Sequence, residues 1–198
     1  MQIIQKYFPD LTLAQKRQFG EMQALYEDWN SKINLISRND MPFFYERHVL
    51  HSLAIAKAFP IEGGSRVIDV GTGGGFPGIP LAILYPSCHF TLMDSIGKKI
   101  RVVEAVAKSL MLDNVLCING RVEEYKGLMF DTCVCRAVAP LAMLVGWTRK
   151  KCDELICLKG GDLKSEIAET RLKAKCRDCS EYFEEEFFGE KKVVRMNF

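Results

Sequence analysis

The sequence predicts an α/β fold: a doubly wound, mostly parallel seven-stranded sheet with an antiparallel C-terminal hairpin, preceded by a helical extension. Three observations predict it. Short apolar runs alternate with longer amphipathic stretches from about residue 61 onward. The first run, Val67-Ile68-Asp69-Val70, delivers the chain into a glycine-dense loop, Gly71-Thr72-Gly73-Gly74-Gly75-Phe76-Pro77-Gly78. The last stretch breaks the alternation with two β-rich segments joined by Gly189-Glu190-Lys191-Lys192. Strands that alternate with crossover helices run parallel and are covered on both faces.

In chain order, Thr12-Leu13-Ala14-Gln15 resembles a capping box, and Phe19, Met22, Leu25, Tyr26, Trp29 and Ile33 follow at helical spacing. That predicts an amphipathic helix over 12 to about 33, and a second helix is expected over about 41–59. Glu62-Gly63-Gly64-Ser65 reads as a turn. The boundary near 61 therefore divides an N-terminal helical extension, 1–60, from a core, 61–198, that forms one compact unit. Core strands are expected at 66–70, 90–93, 115–118, 130–135 and 155–158, each separated by sequence able to form a crossover helix. The hairpin arms are placed at 182–188 and 193–198, with Glu184-Glu185-Glu186 as a solvated face.

With 198 residues, 48% of them hydrophobic, the chain can bury one substantial core but not two full-sized lobes. A net charge of +2 is too weak to imply nucleic acid, so an anionic partner must be met by a local patch. No cationic segment followed by an apolar stretch opens the chain, and no apolar span is long enough for a bilayer, so the reading is a cytoplasmic monomer with no membrane partner. In that compartment the eight cysteines read as reduced thiols. Cys176-Arg177-Asp178-Cys179 is a lone C-x-x-C without a second pair or a histidine at ligand spacing, so no metal is assigned.

Two registers fit the glycine loop. Gly73-Gly74-Gly75-Phe76-Pro77-Gly78 satisfies the dinucleotide pattern G-x-G-x-x-G, and Asp69-Val70-Gly71-Thr72-Gly73-Gly74-Gly75 satisfies D-x-G-x-G-x-G. A strand ending at Val70 starts its turn at Gly71, which suits the second. Pro77 and Pro80 also lack the N–H groups a pyrophosphate needs at a helix N-terminus. Asp94 ends the next apolar run, where a carboxylate accepts hydrogen bonds from ribose hydroxyls; the bland alternative is that Asp94-Ser95 only caps the following helix. S-adenosyl-L-methionine satisfies these features, with adenosine near the second strand, the methionine tail over Gly71 to Gly75, and its amino group near Asp69. The core is then a Rossmann-like methyltransferase sheet. Arg121, Arg136 and Lys159 fall after strands and are expected to converge on the rim of the glycine loop, beside Lys98, which suits a polyanionic substrate.

Val67 to Pro80, Thr91 to Lys99, Gly120-Arg121-Val122-Glu123-Glu124, Cys135-Arg136-Ala137 and Leu158-Lys159-Gly160 resemble, in order, the motif series of the bacterial small-subunit rRNA guanine-N7 methyltransferases, also called glucose-inhibited division protein B. Trp29-Asn30, Asn34-Leu35 and Arg47-His48-Val49-Leu50 look like that family's N-terminal extension, so the resemblance spans roughly 20–198. It implies methylation of N7 of one guanine in the 530 loop of 16S rRNA, on naked RNA or the small ribosomal subunit. It also implies Gly71, Phe76, Val122, Glu123 and Arg136 around the methyl donor, and Asn30, His48, Lys98, Arg121 and Lys159 as RNA or active-site contacts. His51, Ile36 and Lys99 depart from the family pattern, and these departures are expected to leave the cofactor site untouched. Guanine N7 bears a lone pair and no proton, so attack on a sulfonium methyl needs no general base. Arg136 and Arg121, with Lys98 and Lys159, are the candidates for orienting the base. His48 is equally readable as an RNA contact or a structural histidine, Trp29 as core, and Phe76 as a stacking surface. The rival functions are a nicotinamide-dependent oxidoreductase in the later glycine register, and a non-enzymatic RNA-binding module.

Overall fold

A computed structural model describes residues 1–198. The chain opens with a short helix, α1 (Gln2–Tyr7), that the sequence did not announce. Next comes α2 (Leu13–Lys32), whose N-cap Thr12 exchanges the expected capping-box bonds with Gln15. The expected helix over 41–59 is continuous in path but not in pitch. It runs as a 3-10 turn (Met41–Phe43), a π-helical segment (Phe44–Leu50) and α3 (His51–Ala58). Buried Phe44 and Val49 lie five apart, the span of a π-helical hydrogen bond.

The core alternates β1 (Arg66–Val70), α4 (Gly78–Leu84), β2 (His89–Asp94), α5 (Gly97–Ser109), β3 (Val115–Asn119), β4 (Phe130–Arg136), α6 (Leu141–Thr148), β5 (Cys152–Gly160), α7 (Lys164–Thr170), β6 (Ala174–Asp178) and β7 (Lys191–Asn197). All seven strands form one sheet in the order β3-β2-β1-β4-β5-β7-β6. β1 to β5 pair in parallel, and β7 runs antiparallel to both β5 and β6.

Two expectations fail here. The connection from β3 to β4 contains only a 3-10 turn, Val122–Glu124, instead of a crossover helix. The first hairpin arm is β6, and 182–188 is an irregular segment that follows a 3-10 turn at Cys179–Glu181 and ends in another at Glu186–Phe188. Packing explains the second error. Phe183 and Phe188 insert side by side into the core, ring centroids 4.7 Å apart, five residues apart and so not at strand alternation. Lys6 and Tyr7 of α1 bond Glu184 and Glu185 between them. β6 escaped notice because an edge strand with an open face carries the polar Lys175, Arg177 and Asp178 instead of an apolar run.

One sheet face packs against α4, α5 and the N-terminal helices, whose Phe19, Met22, Tyr26, Phe44 and Leu53 share a cluster with Ile79, Leu92 and Val103. A smaller cluster under α6 and α7 covers the other face. Burying the first cluster brings the N-terminal helices against the back of the glycine loop.

Candidate functional site

Four strands end at one cavity of about 500 Å³. Its walls are Val70 to Gly74 with Phe76 after β1, Met93 to Ile96 with Lys99 after β2, Gly120 to Glu123 after β3, and Arg136 to Val138 after β4; Trp147 of α6 and Leu35 with Ile36 complete it. This is the crevice beyond the carboxyl ends of the strands, where the order reverses about β1.

The glycine loop is held from three sides. Gly71 and Thr72 donate their N–H groups to Met93 O at 2.8 and 3.0 Å, which prolongs the β1–β2 ladder into the turn. Gly73 N–H donates to Asp94 Oδ2 at 2.9 Å. From behind, the buried Tyr26 hydroxyl donates to Gly74 O at 2.6 Å. Gly71 takes φ of +67°, and a Cβ there would lie 2.8 Å from both methyls of Val138. Gly73 also takes a positive φ, +59°, but a Cβ there would meet nothing closer than 3.9 Å, so its backbone faces open space.

Asp69 is fully buried and is not on the cavity wall, which corrects its placement beside a cofactor amino group. Its Oδ2 accepts from Thr72 Oγ1 at 2.6 Å and from Gly78 N–H at 2.8 Å, stapling strand, loop and helix together. Burial pushes its carboxyl up to about 7, against the pull of those two bonds. Since Gly78 N–H is taken by Asp69 and Ile79 N–H by Gly75 O, the start of α4 has these donors engaged and suits a pyrophosphate poorly.

Asp94 satisfies both of its sequence readings. Oδ1 caps the following turn by accepting from Ile96 N–H at 2.8 Å, and the carboxylate still lines the cavity. Each oxygen has a second lone pair for a ligand hydroxyl.

Arg136 lines the cavity from β4 and is anchored by the π-helical segment. It donates to Arg47 O at 3.2 Å and its other terminal nitrogen lies 3.1 Å from His48 Nδ1, while its guanidinium sits 5.0 Å from the Phe76 ring centroid. Arginine only donates, so His48 accepts through Nδ1 and carries its proton on Nε2. Burial and the neighbouring Arg136 hold the His48 imidazole down at about 4, hence neutral. Burial also lowers the Arg136 guanidinium to about 10, which leaves it cationic at neutral pH.

Gly71, Gly73, Phe76, Asp94, Arg121, Val122, Glu123 and Arg136 thus meet at one cavity. Four other expected contacts do not line it. His48 stands behind Arg136. Asn30 ties the chain at 33–36 by accepting from Leu35 and Ile36 N–H and donating to Ile36 O, so it presents its neighbours rather than itself. Lys98 is exposed beside the mouth, where Lys99 takes the wall position. Lys159 is turned inward onto Ala139 O and Glu166. Phe76 packs among Tyr26, Phe44 and His48 as core, besides reaching the cavity. Two of the three departures from the family pattern, Ile36 and Lys99, line the cavity and therefore do touch the site. Trp147 carries no sequence signal, since a tryptophan on the predominantly apolar helix α6 reads as core.

The family profile described as GidB, rRNA small subunit methyltransferase G, matches residues 15–194. The chain is 53% identical over 203 aligned positions to the Ribosomal RNA small subunit methyltransferase G of Bacteroides thetaiotaomicron, covering 98% of each. Among solved structures, MtNAS in complex with MTA and tNA is similar at 15% identity and TM-score 0.65, covering 94% of this chain and 75% of that one. Aeropyrum pernix fibrillarin with natively bound S-adenosyl-L-methionine is similar at 13% identity and TM-score 0.59, covering 76% and 74%. At those identities the structural likeness speaks for the fold alone.

Proposed function

The chain belongs to the rRNA small subunit methyltransferase G family, and on that premise we propose that it transfers a methyl group from S-adenosyl-L-methionine to N7 of a guanine in the 530 loop of 16S rRNA. The observation that carries the reading is the single cavity where the glycine loop, Asp94, Val122 with Glu123, and Arg136 meet. Its volume, about 500 Å³, suits a nucleoside with an amino-acid tail, and the open backbone at Gly73 and the carboxylate of Asp94 suit that tail and a ribose respectively.

S-adenosyl-L-methionine, when bound, supplies an electrophilic methyl on sulfur. The chain's part is positioning. Gly71, Gly73 and Gly74 let backbone approach closely, Asp94 accepts hydroxyls, and Val122 gives an apolar wall. Arg136, fixed by Arg47 O and His48, keeps unspent N–H groups to donate to guanine O6, which lies beside N7 on the same base edge. Guanine N7 carries no proton, so no general base is needed and the chain's residues serve to orient the base toward the methyl donor. Arg121 and Lys98 meet RNA phosphates at the mouth. Residues 1–60 act as an extension bracing the core 61–198, and the protein works as a cytoplasmic monomer on 16S rRNA or the small subunit. No helix is long and apolar enough to cross a membrane.

The test is labelling of small-subunit rRNA from methyl-tritiated donor, with base-resolution mapping of N7-methylguanosine. Label at a single 530-loop guanine is expected. Label confined to another base, to protein or to small molecules would overturn the substrate assignment.

A further inference from the structure

The turn after β4 brings Arg136, Ala137 and Val138 to the cavity, and its backbone is strained: Ala137 takes φ of +52°, the left-handed region that an L-residue with a Cβ avoids. Such a conformation persists only where the surroundings hold it. Two side chains from beyond the cavity do so. Lys159, at the end of β5, donates to Ala139 O at 2.8 Å and pairs with Glu166 of α7 at 2.6 Å. The same Glu166 oxygen accepts from Leu141 N–H at 2.7 Å. Both side chains are largely buried, 14% and 23% exposed, so water competes weakly for these bonds. Ammonium and carboxylate therefore grip the chain on either side of Pro140, at the junction of the turn with α6.

Position of the turn matters because Val138 occupies the space a Cβ on Gly71 would need, with both methyls 2.8 Å from that point. The two loops meet there with no slack, and displacement of the turn changes the cavity floor and the anchoring of Arg136 together. We propose that Lys159 and Glu166 are positioning residues: a buried ion-pair clamp that seats the 137–141 turn against the glycine loop, and so sets methyl-donor affinity and transfer rate without touching either reactant. The proposal rests on the methyl-transfer reading for its rate component; the fit of the loops stands apart from it.

The experiment compares wild type, Lys159→Met, Glu166→Gln, Ala137→Gly and the double variant Lys159→Met/Ala137→Gly. Calorimetric binding of S-adenosyl-L-methionine, transfer to small-subunit rRNA and thermal melting are measured on each. Lys159→Met is expected to weaken donor binding and transfer by about 10- to 100-fold while the protein stays folded. Glu166→Gln keeps an acceptor for Leu141 N–H but removes the counter-charge, so an intermediate loss is expected. Glycine adopts positive φ freely, so the Lys159→Met penalty should shrink by roughly threefold or more in the Ala137→Gly background, a coupling that general destabilisation would not produce. Should Lys159→Met fail to fold, Glu166→Gln carries the test. Donor binding and transfer within about twofold of wild type in the folded variants, or an undiminished penalty in the Ala137→Gly background, would overturn the clamp. Wild-type protein that binds donor without labelling rRNA would instead overturn the functional reading, with the binding comparisons still deciding the clamp.

Discussion

Two loops face each other across the cavity, and they differ in what they require of their own residues. The glycine loop after β1 is held through its backbone: Gly71, Thr72 and Gly73 donate N–H groups forward to β2, and Gly74 O receives the Tyr26 hydroxyl from behind. The turn after β4 is held by side chains that reach in from β5 and α7. The first takes positive φ at Gly71 and Gly73 and so needs glycine within itself, whereas the second is built from ordinary residues gripped from β5 and α7. The first is vulnerable at its own glycines, and the second at Lys159 and Glu166, which lie 20 and 25 residues beyond the atoms they grip.

The largest expected effect comes from forcing the two loops apart at their contact. Gly71→Ala adds a Cβ where Val138 stands and keeps a positive φ, so a left-handed cost of about 1–2 kcal/mol adds to overpacking of roughly 1–3 kcal/mol. Loss of S-adenosyl-L-methionine binding by more than about 100-fold is expected by calorimetry, and near-normal affinity would show that the loops can part without harm. A smaller effect comes from loosening the glycine loop alone. Tyr26→Phe keeps the buried ring and removes only the bond to Gly74 O, about 1 kcal/mol, so a severalfold weaker affinity with a lower Tm is expected. An unchanged affinity would mean that β2 alone holds the loop.

The smallest effect concerns the segment behind both loops. His51 is buried against Phe187 and Phe188, and burial lowers its imidazole to about 3. Its folded value lies below the ordinary value of about 6.5, so the folded state binds fewer protons in that window. The stability it contributes is present above pH 6.5 and is lost as pH falls toward 3. His48, lowered for the same reason, acts in the same direction, while Asp69, raised to about 7, acts oppositely: its contribution is full below the ordinary carboxylate range and is lost as pH rises through 7. With two groups against one, melting temperature should fall as pH drops from 6.5 toward 4. His51→Phe should make that fall shallower, and an unaltered slope would show that His51 is already charged when folded.

The same contrast separates what could be read from residues in order from what could not. The glycine loop was legible because its requirement is local: positive φ at Gly71 and Gly73 leaves a visible mark in residue type. The left-handed Ala137 leaves no such mark, since its conformation is imposed from outside. Lys159 after a strand reads as a rim cation in the sequence, and the structure instead turns it inward onto Ala139 O and Glu166. His48, readable from sequence as either an RNA contact or a structural histidine, anchors Arg136, and Asn30 holds the backbone at Leu35 and Ile36. The displaced hairpin arm follows from burial of Phe183 and Phe188, which outweighs local strand propensity, while the link between β3 and β4 holds only the 3-10 turn Val122–Glu124.

By itself the sequence determined the alternating sheet, the Asp69-to-Gly78 loop and its register against a dinucleotide, Asp94 as the second strand's acidic terminus, and the family. These rest on short-range periodicity and on residues whose backbone demands are their own. Only the tertiary structure decided which cations face the cavity, that Asp69 staples the loop from within, that Tyr26 braces it from the extension, and that Lys159 with Glu166 seats the opposite turn. Those roles depend on contacts between residues distant in the chain, and the direction in which a long side chain is drawn is set by the partner that satisfies it once buried.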